Sequence, residues 1–315
     1  MTPTSTGGIC PTLTAADLID SVPEIGALAK LSATTLLQLP GASLSFSDII
    51  ETVSWARQEV DSGACGVVVI QGTDTLEETS YLAELLWDRA EPLVFVGAMR
   101  GPMQISADGP ANLVAAVRVA ICSQSRNLGV MVVLDQTVHH ASLVYKGHST
   151  ALNAFRSYGT QVLGHVVEDD VVLRPFRRRG TTFHMSATTP IPSVPIWHTY
   201  LGDDGSGFTQ LMASNPLGVV IAATGVGHVS FGLADAIEDV AHRIPVILCT
   251  RIGEGGSMRD TYAFPGSEKD LLNRGAIVAG MLDVHKSRIL LATLLAQSAT
   301  KDRIWQEFAV RGAPI

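Results

Sequence analysis

Short, wholly apolar runs alternate along this chain with longer stretches whose apolar residues recur every three or four positions. Val67–Ile70 is one such run, the pattern of a strand buried on both faces. Gln71 and Gly72 break it. Thr75, with Glu78 three residues later, then reads as a capping box opening a helix through Tyr81, Leu82, Leu85 and Leu86. The pattern repeats on either side. Ile49, Val53, Ala56 and Val60 form a helical stripe before the strand. Leu93–Val96 is the next buried strand. It is followed by the loops Gly97–Arg100 and Ser106–Pro110, and by a helix with Leu113, Val114, Val117 and Ile121 on its buried side. Val130–Leu134 is a further strand. Upstream, Thr14 caps a short helix carrying Leu18, Ile19 and Val22, and Thr34–Leu39 reads as a strand. Strand-helix alternation of this kind predicts an α/β fold.

The pattern changes after Asp135. Val162–Val167 and Val171–Arg174, joined by Glu168, Asp169 and Asp170, predict a hairpin. Its three acids read as a solvated tip rather than a metal site, because carboxylates are common turn residues. Gly180–Pro195 is rich in Thr, Ser and Pro and reads as a linker. It divides the chain into domains at 1–179 and 196–315, with 180–195 between them. The second part is again α/β. Strands are expected at Gly218–Ala222, Val246–Cys249 and Ala276–Val278. Helices are expected at Phe231–Ala241, Glu268–Asn273, His285–Ala296 after Asp283, and Lys301–Val310.

The chain has 315 residues, 46% of them hydrophobic and 17% charged, enough for two packed cores. A net charge of -8 argues against nucleic acid as a partner. The basic run Arg177–Arg179 reads as a solvated loop. No apolar stretch is long enough to cross a membrane and no signal peptide is visible, so a cytoplasmic protein is expected. Cys10, Cys65, Cys122 and Cys249 are far apart, without zinc spacing, and read as buried thiols in a reducing compartment. His139 and His140 are adjacent in extended chain and point apart, which disfavours a shared metal.

Candidate chemistry lies at the turn after Val67–Ile70. Thr73 and Asp74 stand at the carboxyl end of a strand, the ligand-binding edge of open α/β sheets. A hydroxyl beside a carboxylate there suits nucleophilic or proton-transfer chemistry. Helix capping is the other reading, although it accounts for Thr75 and Glu78 and not for Thr73 and Asp74. The chain contains no P-loop and no GxSxG elbow, and Gly225-Val226-Gly227 lacks the third glycine of a dinucleotide loop.

The stretch Gln71-Gly72-Thr73-Asp74-Thr75-Leu76-Glu77-Glu78-Thr79 resembles the signature of the bacterial-type L-asparaginase family, His-Gly-Thr-Asp-Thr followed by an apolar residue and paired acids. Gln71 is its one departure. The resemblance continues through Val96–Arg100, Ser106–Pro110 and Asn112-Leu113. It includes Lys146 with Ala154-Phe155 and Ser157–Gly159. Further on it takes in Gly225–His228, Ala279-Gly280 and Lys286–Arg288, and so spans nearly the whole chain. It implies a large N-terminal doubly wound domain with a mostly parallel sheet, and a smaller C-terminal α/β domain. It implies hydrolysis of L-asparagine, with L-glutamine as a further candidate, through a threonine acyl-enzyme, without metal or organic cofactor, in a homodimer or homotetramer. By the same resemblance Thr73, Lys146 and Asp74 form a catalytic set, with Asp74 also binding the substrate's α-amino group. Gly41, Gly72, Thr73 and Ala98 border the substrate, and Glu268 either assists from a neighbouring subunit or caps a helix. The loop that binds the substrate's α-carboxylate falls at Gly41-Ala42, where relatives often carry a serine, so either that side-chain contact is lost or Ser43 substitutes, and His228 stands where relatives often carry asparagine. A lysine base is chemically reasonable, since burial makes an amine easier to deprotonate.

The family's other threonine, usually taken as the primary nucleophile, lies in a Thr-Gly-Gly-Thr-Ile/Val turn at the end of the first strand. No such motif occurs here. Ser5-Thr6-Gly7-Gly8-Ile9 lacks the second threonine, and Gly8 stands about where relatives carry a loop tyrosine. The expectation is therefore a chain that starts just past the first strand, lacks ~10–20 residues, folds poorly and hydrolyses little. Two other readings stand beside the enzyme. One is the asparaginase-like subunit of a tRNA-dependent amidotransferase, and the other is a non-catalytic amino-acid-binding protein.

Overall fold

The computed structural model describes residues 2–3, 9–160, 162–176 and 180–314. The chain divides into two compact units. The first comprises residues 1–178 and 182–188, and the second residues 179–181 and 189–315. Phe183 belongs to the first unit, where it is buried and its N–H donates to the Leu85 carbonyl. Thr181 belongs to the second, where its carbonyl accepts from Arg311.

The first unit opens with a two-stranded ladder, β1 (Thr2–Pro3) and β2 (Ile9–Cys10). Helices α1 (Ala15–Asp20) and α2 (Ile25–Leu28) follow. Thr14 caps α1 in a capping box with Asp17. After α3 (Phe46–Asp61) come β3 (Val67–Ile70), α4 (Leu76–Leu86), β4 (Leu93–Val96), α5 (Gly109–Ile121), β5 (Val130–Leu134) and β6 (Thr137–His140). A small antiparallel ladder, β7 (Val144–Lys146) with β8 (Phe155–Ser157), leads to the hairpin β9 (Gly164–Val167) and β10 (Asp170–Leu173). The main sheet has the order β10-β9-β6-β5-β4-β3. β3, β4 and β5 run parallel, while β6, β9 and β10 are antiparallel additions. The expected α/β class is therefore found, with a mixed first sheet.

Alternate residues of β4 and β5, namely Val94, Val96, Met131 and Val133, join Leu113, Ala116, Val117 and Ala120 of α5 in one core. Close approach is built in at Gly66, where an added Cβ would lie 2.2 Å from the Ala120 carbonyl oxygen. The fifteen buried apolar residues of this cluster stabilise the unit, each fully buried large side chain contributing roughly 1.5–3 kcal/mol.

Three expectations are corrected here. Thr34–Leu39 forms no strand. It is exposed, with Leu36, Leu37 and Leu39 open by 41–45%, and among the described residues no strand pairs with it to satisfy its backbone. Val67–Ile70 is the edge of the described sheet rather than a strand buried on both faces: Val68 and Val69 are half-buried, and Ile70 is 41% exposed. Among the cysteines, only Cys249 is buried. Cys10 and Cys65 are exposed and Cys122 is intermediate.

His139 and His140 have separate partners in β6. His139 Nδ1 lies 2.8 Å from Ser157 Oγ, and His140 Nδ1 lies 2.7 Å from Ser142 Oγ. The Glu168–Asp170 tip turns tightly, with Glu168 at φ 54°, and Asp169 pairs with Arg118. Arg177–Arg179 and Thr4–Gly8 lie outside the described residues, as do the readings placed on them.

The second unit holds a parallel sheet in the order β11 (Ile196–His198), β12 (Val219–Ala223), β13 (Val246–Thr250) and β14 (Ile277–Val278). Its helices are α6 (Ser206–Met212), α7 (Phe231–Ala241), α8 (Glu268–Asn273), α9 (Val284–Ala296) and α10 (Lys301–Arg311). Side-chain caps start most of them: Ser230 for α7, Ser267 for α8, Asp283 for α9 and Thr300 for α10. Leu233, Ala234, Ile237 and Val240 of α7 pack on Val219, Ile221, Val246 and Leu248.

Candidate functional site

The carboxyl end of β3 runs into a short 3-10 turn, Thr73–Thr75, before α4 begins. The turn brings three loops of the first unit together. The expected capping box is absent: Thr75 makes no side-chain cap bond, and its Oγ1 donates instead to the Gly41 carbonyl at 2.8 Å. The turn is thereby tied to residues 41–43, themselves a 3-10 turn. Glycine suits this approach, since a Cβ on Gly41 would press to 3.1 Å from the Gly72 carbonyl oxygen. Gln71 fixes the turn from the strand side. Its side-chain oxygen accepts from Thr79 Oγ1 at 2.8 Å, and its backbone N–H donates to Val96 at 2.9 Å.

Thr73 is buried and Asp74 is exposed. Thr73 Oγ1 lies 2.9 Å from the Nζ of Lys146, the last residue of β7, and that Nζ lies 3.5 Å from Asp74 Oδ1. The lysine's backbone is held as well, its N–H donating to the Glu77 carboxylate in the first turn of α4. Residues separated by more than seventy positions thus meet at one hydroxyl. Lys146 is mostly shielded, with 17% of its side chain exposed, whereas Asp74 is 64% exposed and open to solutes. The arrangement offers a hydroxyl, an amine in proton-transfer range and a carboxylate at the mouth, which is the layout of an activated nucleophile.

The loop after β4 forms the wall beside Thr73. A Cβ on Gly97 would lie 2.8 Å from the Gln71 carbonyl oxygen and 2.9 Å from the Thr73 methyl. Ala98 follows directly. The Asp108 carboxylate accepts from the N–H groups of Met99 at 2.9 Å and Arg100 at 2.8 Å. These bonds hold the loop against the N-terminus of α5.

Glu268 belongs to the second unit. It is fully buried, with Oε1 accepting from the N–H groups of Thr261 at 2.8 Å and Tyr262 at 2.7 Å, and Oε2 3.1 Å from His228 Nε2. Burial works to raise this carboxyl. The N–H bonds from Tyr262 and Thr261, with His228, outweigh it and hold the group below the usual carboxylate range. His228 also meets the rings of Tyr262 and Phe264 edge-on. Gly225 and Gly227 shape the turn preceding His228 with φ of 51° and 124°.

Of the site residues expected from sequence, Gly41, Gly72, Thr73, Asp74 and Lys146 surround one turn, with the Gly97-Ala98 loop beside it. Glu268 is committed to contacts in its own unit. Two residues that the resemblance spans without giving them a role, Glu77 and Asn112, also belong to the site. Asn112 carries a signal in hindsight, being a polar residue among the buried positions of α5, four residues after Asp108.

This arrangement accompanies extensive similarity to known proteins. Residues 1–177 match the family described as "Asparaginase, N-terminal", and residues 193–308 match "Glutaminase/Asparaginase C-terminal domain". The chain belongs to the asparaginase family. It is 31% identical to an L-asparaginase of Bacillus licheniformis over 82% of this chain and 80% of that one. It is 34% identical to a probable L-asparaginase of Deinococcus radiodurans over 80% and 77%. The crystal structure of a probable cytoplasmic L-asparaginase from Campylobacter jejuni superposes with a TM-score of 0.86 at 28% identity, covering 98% of this chain and 94% of that one. Among the described residues, no helix is long and apolar enough to cross a membrane.

Proposed function

We propose that this asparaginase-family chain hydrolyses the side-chain amide of L-asparagine to L-aspartate and ammonia, using Thr73 as nucleophile. The observation that carries this reading is the 2.9 Å contact between Thr73 Oγ1 and Lys146 Nζ. In its neutral form the lysine takes the hydroxyl proton as Thr73 Oγ1 attacks the amide carbon. The proton then passes to the departing nitrogen, which leaves as ammonia, and Thr73 remains esterified. Water, deprotonated by the same amine, cleaves the ester and restores the hydroxyl. A base in this position contributes about 10²–10⁴ in rate. The exposed Asp74 carboxylate pairs with the substrate's α-ammonium group. Backbone N–H groups of Gly72, Thr73 and Ala98 stabilise charge on the carbonyl oxygen. The turn at Gly41 receives the α-carboxylate. Substrates one methylene longer, L-glutamine among them, compete for the same groups. Relatives titled L-asparaginase and probable L-asparaginase support the choice of amide.

The test is ammonia release from L-asparagine by the full chain beside Thr73→Ala. Release that disappears in the variant is the expected result. Equal release by both proteins would remove Thr73 from the chemistry. Tight asparagine binding without turnover would instead support a non-catalytic amino-acid-binding protein. The absolute rate measures the impairment expected from the lack of a Thr-Gly-Gly-Thr motif.

A further inference from the structure

We infer that Asn112 is a positioning residue that sets the rotamer of the Thr73 side chain, acting through the backbone of Gly97. The inference rests on the proposed role of Thr73 and extends it to a residue that touches neither substrate nor hydroxyl. Asn112 is 2% exposed in the first turns of α5. Its Nδ2 donates to the Gly97 carbonyl at 3.0 Å and to Asp108 Oδ2 at 3.0 Å, and its Oδ1 accepts from the Asp135 N–H at 2.9 Å. One amide therefore fastens the loop after β4 to the loop after β5, where Asp135 holds a positive φ of 49°. A buried amide costs free energy unless its bonds are made, and these bonds all serve segments flanking the site.

Gly97 transmits the constraint. It leaves no room for a Cβ beside the Thr73 methyl, at 2.9 Å, or the Gln71 carbonyl oxygen, at 2.8 Å. A threonine has two heavy atoms on Cβ and three staggered positions to share among them. With the methyl lodged against Gly97, Oγ1 is left in the position that faces Lys146. The methyl is thus a wedge, and the wedge holds only while Gly97 stays in place. Serine would keep the hydroxyl but lose the wedge. This supplies a physical reason for threonine at position 73 that nucleophilicity alone does not.

The experiment is a double-mutant cycle with Thr73→Ser and Asn112→Ala in the full chain, read as kcat and KM for L-asparagine. It is paired with three-bond couplings to the 13C-labelled Thr73 methyl in wild type and Asn112→Ala. Asn112→Ala should lower kcat by about 10–10²-fold, the scale of a misplacement of an ångström or less, while KM moves by less than about threefold. Thr73→Ser should lower kcat by about tenfold, and the double variant should fall well short of the product of the two losses. The couplings should pass from one rotamer in wild type to an average in Asn112→Ala. Costs that multiply, or a single unchanged rotamer in Asn112→Ala, would overturn the inference. If the wild type releases no ammonia, the proposed reaction fails, while the couplings still decide what Asn112 does. Should Asn112→Ala not fold, Asp108→Asn takes its place. Paired with Asn112→Leu, which keeps the volume and removes the donor to the Gly97 carbonyl, it is expected to give the same averaging, and an unchanged rotamer in Asn112→Leu overturns the inference equally.

Discussion

Lys146→Met keeps most of a side chain and removes its chemistry. Methionine retains an unbranched apolar stem, so the packing of a residue with 17% of its side chain exposed is largely preserved. What disappears is the Nζ that stands 2.9 Å from Thr73 Oγ1 and 3.5 Å from Asp74 Oδ1. Asp74 loses its partner at little cost, because 64% of its side chain is already in water and such pairs contribute at most about 1 kcal/mol. For a unit of this size that is a fall in Tm of about 2–4 °C. The catalytic loss is far larger. Removing a positioned base costs about 10²–10⁴ in rate, or about 2.7–5.5 kcal/mol of transition-state stabilisation. The assay is steady-state ammonia release from L-asparagine between pH 6 and about 10, with a thermal melt on the same preparation. The expected result is a loss of about two to four decades in kcat with a nearly unchanged melt. A variant whose kcat stays within about threefold of wild type would refute the assignment of Lys146 as base. A melt lowered by more than about 10 °C would make the lysine a structural residue instead.

Two further outcomes follow from buried groups. Burial, aided by the neighbouring His165, pushes His139 down from 6.5 to about 4, so the folded chain holds it neutral where the unfolded chain binds a proton. Its contribution is intact above pH 6.5 and is lost as pH falls from 6.5 toward 4, by about 1.4 kcal/mol per pH unit and about 3 kcal/mol in all. Denaturant melts of wild type and His139→Gln should converge in acid, and parallel pH dependences would contradict this. Glu268→Ala removes a buried carboxylate and leaves the part-buried N–H groups of Thr261 and Tyr262 without their acceptor, at a cost of roughly 1–3 kcal/mol. Chemical denaturation checks it, and a cost under about 1 kcal/mol would mean that this loop relaxes into water.

Local physics made much of the fold legible. Helix α7 spans Phe231–Ala241, the range its stripe predicts, because a serine cap and an apolar face act within a few residues of each other. The same holds for α9 behind its Asp283 cap, and for the hairpin β9–β10, whose two strands are joined by a short acidic turn. Thr73 and Asp74 were visible as a strand-end hydroxyl and carboxylate. Lys146 entered only through resemblance, since its residue type and surroundings in the chain look like those of any surface lysine.

The failures share one cause. Thr34–Leu39 has the composition of a strand, but a strand exists only with a partner, and the partner is a tertiary fact. Val67–Ile70 reads as interior although it stands at the edge of the described sheet, because an apolar run records suitability for burial and not which side a neighbour occupies. Thr75 has the spacing of a cap, yet its hydroxyl is taken by the carbonyl of Gly41, thirty-four residues away. Asn112 falls within the family resemblance, but its role shows only when the loops at Gly97 and Asp135 close on it. The sequence by itself determined the strands and helices whose signals are local, and the residue types at the turn after β3. The tertiary structure alone decided which distant groups meet Thr73, because hydrogen bonds and steric contacts act over a few ångströms of space whatever the separation along the chain.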